Sequence, residues 1–313
     1  MISIKNLSKS FGNNEVLKGL DFDIKRGEIV GLLGPNGAGK TTAMRILTGY
    51  LSANEGEIKI DGKDINKEKN LEEIKKKMGY LAEDNPLYPE MLVEEYLDTI
   101  AELRQIKAKE RQKEIKKAVV KTGIEEVYYK QISDLSKGFK QRVGLAAAII
   151  GDPEILILDE PTEGLDPNQR IDIRNLIKNL GDQKTVIISS HVLQEVENTC
   201  QRIIILNQGK IAADGKTREI IDGARGRKTL LLEIEGNDIE NKLKNIVGAT
   251  LAVAQPAVAQ NINDNKYKFV VEIEGNKELR PQIFNLAKNN NWIIWEMHQK
   301  EVSLEDVFRE LTK

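Results

Sequence analysis

One stretch near the amino terminus constrains the fold of this chain more than any other. It fits the pattern G-x-x-x-x-G-K-[S/T] and consists of Gly34, Pro35, Asn36, Gly37, Ala38, Gly39, Lys40 and Thr41, with Thr42 after them. An apolar run at 29–33 precedes the glycines and a helix is predicted over 41–49, so they join a buried strand to a helix. Backbone N–H groups in such a turn, together with the helix dipole, favour phosphate. The stretch therefore predicts a nucleoside triphosphate site, with Lys40 on the β- and γ-phosphates and the Thr41 hydroxyl on Mg²⁺.

A second apolar run, at 155–158, ends in the acidic residues Asp159 and Glu160. A buried parallel strand delivers the residues that follow it to its carboxyl edge, where α/β folds bind ligands. Phosphoryl transfer needs positioning and charge neutralisation more than covalent chemistry. We therefore expect Asp159 to hold Mg²⁺, directly or through water, and Glu160 to polarise the attacking water. The alternative, solvated acids at a strand end, is disfavoured by the phosphate-binding pattern upstream.

Three further stretches extend this series. They are Leu135-Ser136-Lys137-Gly138-Phe139 followed by Lys140-Gln141-Arg142, then Pro161-Thr162-Glu163-Gly164-Leu165-Asp166, then Ser189-Ser190-His191 after an apolar run. With the two motifs above, they resemble the signature, the D-loop and the switch histidine of ABC transporter ATP-binding subunits, over about residues 1–220. The resemblance implies an α/β fold of the P-loop NTPase type, with a parallel core sheet, an antiparallel β-subdomain and a helical subdomain.

The signature predicts a second phosphate cradle. A helix that begins at Gly138 or Phe139 presents free N–H groups to an anion, and Ser136 adds a hydroxyl. One ATP cannot occupy two cradles of one compact domain, so a second protomer is implied. In the family, the signature of one protomer covers the γ-phosphate in the P-loop of the other. This implies that Ser136 and Gly138 bind the ATP of a second ATP-binding subunit, in a head-to-tail homodimer.

The resemblance also assigns roles to His191 and Phe11. His191 stands at the switch position, which implies a catalytic contact with the γ-phosphate. Phe11 stands where the family stacks an aromatic ring on adenine, although an aromatic residue in an early strand is more often part of the core. A stacked ring would contribute about 0.5–1.5 kcal/mol beyond the area that it buries.

The sequence departs from the family pattern at three positions. Lys137 and Phe139 replace the glycine and glutamine of the signature, whereas Ser136 and Gly138 keep the cradle residues. Glu83 replaces a glutamine after a short predicted strand; a carboxylate can still ligate Mg²⁺, and it makes the site more negative. These variants resemble the ABC-2-type exporter branch, which includes gliding-motility, drug-resistance and sodium-extrusion ATPases.

Composition narrows the partners and the location. A net charge of −2 gives no general basic field, so nucleic acid is not expected as a partner. One cysteine excludes an internal disulfide, and without a secretory leader the chain is expected to be cytoplasmic, peripheral on the inner face of the cell membrane. No run approaches the roughly 18 apolar residues that cross a bilayer, so we expect a separate membrane-spanning permease subunit. Its predicted docking segment is 84–91, anchored by Leu87, Tyr88 and Met91; the alternative is an ordinary surface loop.

Two domains are predicted, an ABC ATP-binding domain at 1–221 and an accessory domain at 222–313, with a linker at 222–227. Beyond the linker, the order βαββαβ indicates a ferredoxin-like α+β domain. Its predicted strands are 229–234, 249–258, 267–273 and 292–298, its helices are 239–246 and 279–289, and Ser303 caps a last helix. We expect a role in dimer contact or regulation, with simple stabilisation as the alternative.

Taken together, these features predict an ATPase that binds ATP and Mg²⁺, dimerises on ATP and drives export through another subunit. The alternative is a soluble ABC-type regulatory or ribosome-associated ATPase that is not coupled to transport. Ribosome-associated members usually carry two cassettes in one chain, and this chain has one P-loop and one signature.

Overall fold

The computed structural model of the chain describes residues 1–224, 227–247, 266–274, 278–300 and 303–312. It forms two compact units, Met1–Thr217 with Phe308–Lys313, and Arg218–Val307. Residues 222–224 of the predicted linker complete a helix at Thr217–Ala224. Ile221 in that helix is buried, and burial of an apolar side chain stabilises helical structure.

A six-stranded sheet forms the centre of the first unit, in the order β10-β9-β3-β8-β7-β6. Its strands are β3 (Ile29–Leu33), β6 (Met78–Leu81), β7 (Ile155–Asp159), β8 (Thr185–Ser190), β9 (Arg202–Asn207) and β10 (Lys210–Lys216). Neighbouring strands are parallel except β9 and β10, which pair antiparallel. Strands β3 and β7 are buried at every residue, which explains their unbroken apolar sequences.

The predicted antiparallel β-subdomain is a four-stranded sheet in the order β2-β1-β4-β5. Its strands are β1 (Ile2–Phe11), β2 (Asn14–Ile24), β4 (Glu55–Ile60) and β5 (Lys63–Asp64). Ile2 and Ile4 of β1 face Ile60 and Ile58 of β4 in register, and all four are buried. They join one hydrophobic core with residues of the central sheet, so the two sheets of this unit share a core.

In the described part of the first unit, seven α-helices precede the helix at Thr217–Ala224. That later helix is named α8. The seven are α1 (Lys40–Leu47), α2 (Glu68–Lys76), α3 (Val93–Leu103), α4 (Ala108–Thr122), α5 (Lys137–Ile149), α6 (Pro167–Gly181) and α7 (Leu193–Thr199). Helix α5 begins at Lys137, earlier than predicted, because Ser136 is its N-cap and accepts the Phe139 N–H at 3.4 Å. In the described residues, no helix has the length and apolar character that a membrane crossing requires.

Four parallel strands deliver the predicted site residues to one edge of the central sheet. Strand β3 leads into residues 34–41, β6 is followed by Glu83, β7 ends at Asp159 and β8 is followed by His191. Because these strands run in the same direction, their carboxyl ends meet at that edge. The sheet topology thus explains how residues far apart in sequence form one site.

The second unit contains a three-stranded antiparallel sheet in the order β12-β11-β13. Its elements are β11 (Arg227–Glu235), α9 (Ile239–Val247), β12 (Lys266–Glu274), α10 (Arg280–Asn289) and β13 (Ile293–Lys300), and α11 (Leu304–Leu311) follows them. The predicted strand 249–258 lies outside the described residues, so the ferredoxin-like fold stays a prediction. Ser303 caps α11 as predicted: its hydroxyl accepts the Asp306 N–H at 3.3 Å, and its own N–H donates to the Asp306 carboxylate at 3.1 Å.

Candidate active site

In the glycine-rich turn before α1, the Ala38 N–H donates to the Pro35 carbonyl oxygen at 3.1 Å, and no side chain occupies the N–H groups at the start of the helix. Gly39 precedes the helix with φ +105°, and no side chain caps α1. A Cβ at Gly39 would lie 2.5 Å from Leu17 Cδ2, and one at Gly34 would lie 2.6 Å from the Leu206 carbonyl oxygen. Gly39 therefore provides the left-handed turn, and Gly34 allows a close approach to the neighbouring backbone.

Lys40 is buried in this turn. Its ammonium donates hydrogen bonds to the carbonyl oxygens of Gly34 at 2.8 Å and Pro35 at 3.4 Å. It also lies 3.7 Å from Glu160 Oε1, and both side chains are 7% exposed. The ammonium is thus held inside the loop, where the phosphates of a nucleotide would lie.

Three predicted metal ligands come together beside the loop. Thr41 Oγ1 lies 3.4 Å from Glu83 Oε2 and 3.4 Å from Asp159 Oδ1. Asp159 is fully buried and its Oδ2 has no hydrogen-bond partner, although Oδ1 accepts the Ser189 hydroxyl at 2.5 Å. Burial raises the pKa of Asp159, and the Ser189 hydrogen bond opposes this. One hydroxyl, two carboxylates and an unpartnered buried oxygen fit a hard divalent cation, which stabilises the charged carboxylate.

Glu160 follows strand β7 with φ +46°, in the left-handed region that side chains rarely adopt. This conformation costs roughly 1–2 kcal/mol, and such strain is found where the surroundings fix it, often at functional sites. Its N–H donates to Ser189 Oγ at 2.9 Å. Burial raises the pKa of the Glu160 carboxyl, while His191 and Lys40 oppose that shift. A buried carboxylate with a raised pKa suits a group that accepts a proton from water.

His191 lies against this carboxylate. Its Nδ1 is 2.9 Å from Glu160 Oε2 and 3.5 Å from Glu163 Oε2, and its backbone N–H donates to Glu160 Oε2 at 3.3 Å. The histidine side chain is 44% exposed, so a ligand can reach it. The structure thus brings His191 and Glu160 together, as a shared role in hydrolysis requires.

Sequence reasoning assigned no role to Ser189, which binds both Asp159 and Glu160. The parallel pairing of β7 with β8 places Ser189 directly opposite Asp159. A signal was present in the sequence, because a hydroxyl at the end of an apolar run is unusual in a buried strand. Which acid it would meet depends on the strand register, which the sequence alone does not specify.

The signature is a separate feature of this chain. Its Ser136 hydroxyl is engaged by the Phe139 N–H, and Gly138 is buried where an added Cβ would lie 2.8 Å from Gln169 Cδ. The Lys137 ammonium lies against Gly164, in the space that a Cβ there would fill. Within the described residues, no hydrogen bond or ion pair joins residues 135–139 to residues 34–42.

Phe11 is the last residue of β1 and is 49% exposed. The interpretation of this ring as part of the core is therefore wrong. The Lys9 ammonium lies 5.3 Å from the ring centroid and donates to the Ser52 carbonyl oxygen at 2.7 Å. The ring is free to contact a flat ligand, and adenine stacking remains a prediction.

The parallel sheet, the loop before α1 and the carboxylates at the same edge define a P-loop ATPase. Residues 17–163 match the family model described as ABC transporter. The chain belongs to the ABC transporter ATP-binding proteins.

Several relatives agree with this membership. The uncharacterized ATP-binding protein sll0415 of Synechocystis is 39% identical over 235 residues, which cover 74% of this chain and 65% of that protein. YhcH of Bacillus subtilis, also uncharacterized, is 33% identical over 319 residues, covering 100% of this chain and 96% of its own. The linearmycin resistance ATP-binding protein LnrL of Bacillus subtilis is 34% identical, covering 75% of this chain and 76% of its own.

Solved structures agree as well. The bacterial ABC transporter cassette MJ0796, in a dimeric structure, superposes with a TM-score of 0.64 at 29% identity, covering 69% of this chain and 98% of that one. The same cassette is known as a dimer in a post-hydrolysis state with ADP and Pi bound. The chain is therefore an ATPase with the ABC cassette fold.

Proposed function

We propose that this chain is the ATP-hydrolysing subunit of an ABC-type export system, works as a homodimer and drives a separate membrane-spanning subunit. The observation that carries the proposal is the contact between His191 and Glu160 at 2.9 Å, beside Lys40 and the Asp159 cluster. A binding module that does not hydrolyse ATP has no need of a buried carboxylate held in a strained conformation between a lysine and a histidine.

The site residues divide the work of hydrolysis among them. Residues 34–42 bind the phosphates through backbone N–H groups and Lys40, and Phe11 stacks on adenine. Thr41, Asp159 and Glu83 would hold Mg²⁺, which would supply positive charge to offset the negative charge of the phosphates. Glu160 orients a water and accepts its proton, while His191 contacts the γ-phosphate and keeps the Glu160 carboxylate in place. Each role uses a group that lies at the same sheet edge.

A second copy of the chain supplies the remaining contacts. Ser136 and Gly138 lie at a helix amino terminus that, in the part of the chain that the structure describes, has no hydrogen bond or ion pair to the P-loop residues 34–42. We propose that they contact the γ-phosphate bound by the partner, so that two ATP molecules lie between two protomers. The dimeric MJ0796 cassette supports this arrangement.

A groove beside the segment 84–91 supports docking of the membrane subunit. It has a volume of about 510 Å³ and is lined by helices α1, α3 and α5 and by the residues after β6. Exposed apolar side chains at its rim, Tyr50 and Leu103, are each 74% exposed, and Arg45 and Arg104 add positive charge. Tyr88 is 55% exposed, with its ring centroid 6.2 Å from that of Tyr96 in the groove wall. An amphipathic helix with acidic residues fits such a surface.

Export and location rest on the relatives and on the sequence pattern. LnrL is named for linearmycin resistance, and the variant signature resembles the exporter branch. We propose that the chain acts on the cytoplasmic face of the cell membrane and that residues 222–313 contribute dimer contact or regulation.

Purification of the tagged full-length chain from detergent-solubilised membranes, with mass spectrometry of bound proteins, tests the proposal. We expect one polypeptide with several membrane spans, lost when Leu87 and Tyr88 are both replaced by aspartate. Tyr129→Asp is the matched control, since Tyr129 is 72% exposed and lies outside the groove. Co-purification with ribosomes, and with no membrane protein, would favour the soluble alternative.

A further inference from the structure

The sheet fixes the strained backbone of Glu160 on its upstream side, but not on its downstream side. Upstream, Asp159 belongs to β7 and the Glu160 N–H donates to Ser189. Downstream, the chain leaves the sheet through residues 161–166, a run of turns. Whatever holds this turn in place therefore also fixes the direction of the Glu160 carboxylate.

A buried hydrogen bond ties the turn to helix α7. The Thr162 hydroxyl donates to Glu195 Oε2. Thr162 is 6% exposed and the Glu195 side chain 13% exposed, so water competes little for this bond. Glu195 lies in the first turn of α7, four residues after His191. The bond thus links the segment after Glu160 to the segment after His191, and these are the two residues whose side chains meet.

The hydrogen bonding of the Glu195 carboxylate is incomplete, which is not expected of a residue that serves stability alone. Its Oε1 is buried without a hydrogen-bond partner. Arg170 Nε lies 4.0 Å from that oxygen and donates instead to the Leu165 carbonyl oxygen at 2.9 Å. A cavity of about 20 Å³ lies beside Thr162 and Glu195. A buried carboxylate oxygen without a hydrogen bond costs stability, which favours a role of Glu195 in positioning.

We propose that Glu195 is a positioning residue for hydrolysis: through Thr162 it fixes the turn 161–166 and so holds Glu160 against His191. Glu195 contacts no phosphate and acts only through the turn. The inference rests on the role proposed for Glu160 and goes beyond it, because it assigns the control of that carboxylate to α7.

Steady-state hydrolysis by the full-length chain tests this. Thr162→Val keeps the shape of the side chain and removes the hydroxyl, so we expect kcat to fall about tenfold, since small misplacements of a catalytic group are costly. KM and the dissociation constant for ATP should change by less than about twofold, because the P-loop is untouched. Thr162→Ser should restore kcat. Glu195→Ala should match Thr162→Val, and the double variant should be no slower than either alone.

Glu197→Ala is the matched control, since Glu197 is an exposed acid on the same helix. It should leave kcat unchanged. A native kcat for Thr162→Val, or additive losses in the double variant, overturns the proposal. If Glu195→Ala fails to fold, the comparison of Thr162→Val with Thr162→Ser still decides. The Glu160→Gln variant separates the role of Glu160 in hydrolysis from the positioning role of Glu195. If Glu160→Gln is inactive and Thr162→Val is active, only the positioning role is refuted. If Glu160→Gln is active, the role of Glu160 itself is refuted.

Discussion

Helices α1 and α5 both begin at a glycine-containing motif, but they present their amino termini differently. Helix α1 follows the left-handed Gly39 and has no side-chain cap. Helix α5 is capped by Ser136, whose hydroxyl already accepts the Phe139 N–H. Lys40 and the carboxylates of Glu83, Asp159 and Glu160 lie beside the start of α1, whereas the side chain that packs against Gly138 at the start of α5 is the uncharged Gln169.

This difference between the amino termini of α1 and α5 indicates which of them can bind phosphate without a second protomer. The free N–H groups and the buried lysine at α1 form a phosphate site within one chain. At α5 the Phe139 N–H is already bonded to the Ser136 hydroxyl, so we expect phosphate to bind there only when a second protomer contributes further contacts. We infer that α1 determines ATP binding and that α5 determines association.

Replacing Glu160 should produce the largest effect and would break the α1 side of this comparison. Glu160→Gln keeps the size of the side chain but removes the proton acceptor, so kcat should fall by about 10²–10⁴-fold. ATP affinity should change by less than about threefold. Steady-state hydrolysis and equilibrium ATP titration measure the two quantities. A near-native rate would show that another group activates the water.

Lys40→Ala and His191→Ala should separate binding from chemistry. Lys40→Ala removes a ground-state phosphate contact, so ATP affinity should fall about 10–100-fold along with the rate. His191→Ala should lower kcat by a similar factor and leave affinity nearly unchanged. The same two assays apply. Equal small effects from both variants would place the γ-phosphate elsewhere.

Ser136→Arg should test the α5 side. In the Glu160→Gln background, ATP with Mg²⁺ should shift the full-length chain from monomer to dimer, as measured by light scattering. The larger side chain of the Ser136→Arg variant fills the signature, so the shift should vanish while ATP affinity stays within about twofold. Ser133→Arg is the control, at an exposed serine before the signature. An unchanged dimer with Ser136→Arg would contradict the division between the two helices.

The smallest expected effect is a shift, toward higher pH, of the pH at which kcat/KM falls on the acid side. Burial raises the pKa of Glu160 above its ordinary value of 4.5, and Glu160 must be deprotonated to accept a proton. We therefore expect kcat/KM to fall on the acid side at a pH above 4.5. A raised pKa contributes stability at low pH, which is lost as pH rises through the folded-state value. Glu160 itself therefore does not unfold the chain in acid, and a melting temperature at each pH checks this.

The sequence predicted features that depend on local pattern and missed those that depend on register. Residues 34–42 and Asp159 were predicted as site residues because residues 34–42 follow an apolar strand and Asp159 ends one. Ser189 was missed because its neighbours are set by the pairing of β7 with β8. The bond between Thr162 and Glu195 was missed because no spacing in the sequence shows that the D-loop segment at 161–166 packs against α7. The start of α5 at Lys137 could have been predicted from the sequence, since serine is a preferred N-cap residue and Ser136 precedes it.

Residues 308–313 belong to the first unit, in which the Asn207 side-chain amide donates to the Leu311 carbonyl oxygen at 3.1 Å. In chain connectivity, the second unit is therefore an insertion with two attachment points rather than a tail. Stopping translation at residue 217 would also delete Phe308–Lys313 and leave the Asn207 amide without that acceptor. An excision of the second unit that keeps this hydrogen bond has to join Thr217 to Phe308.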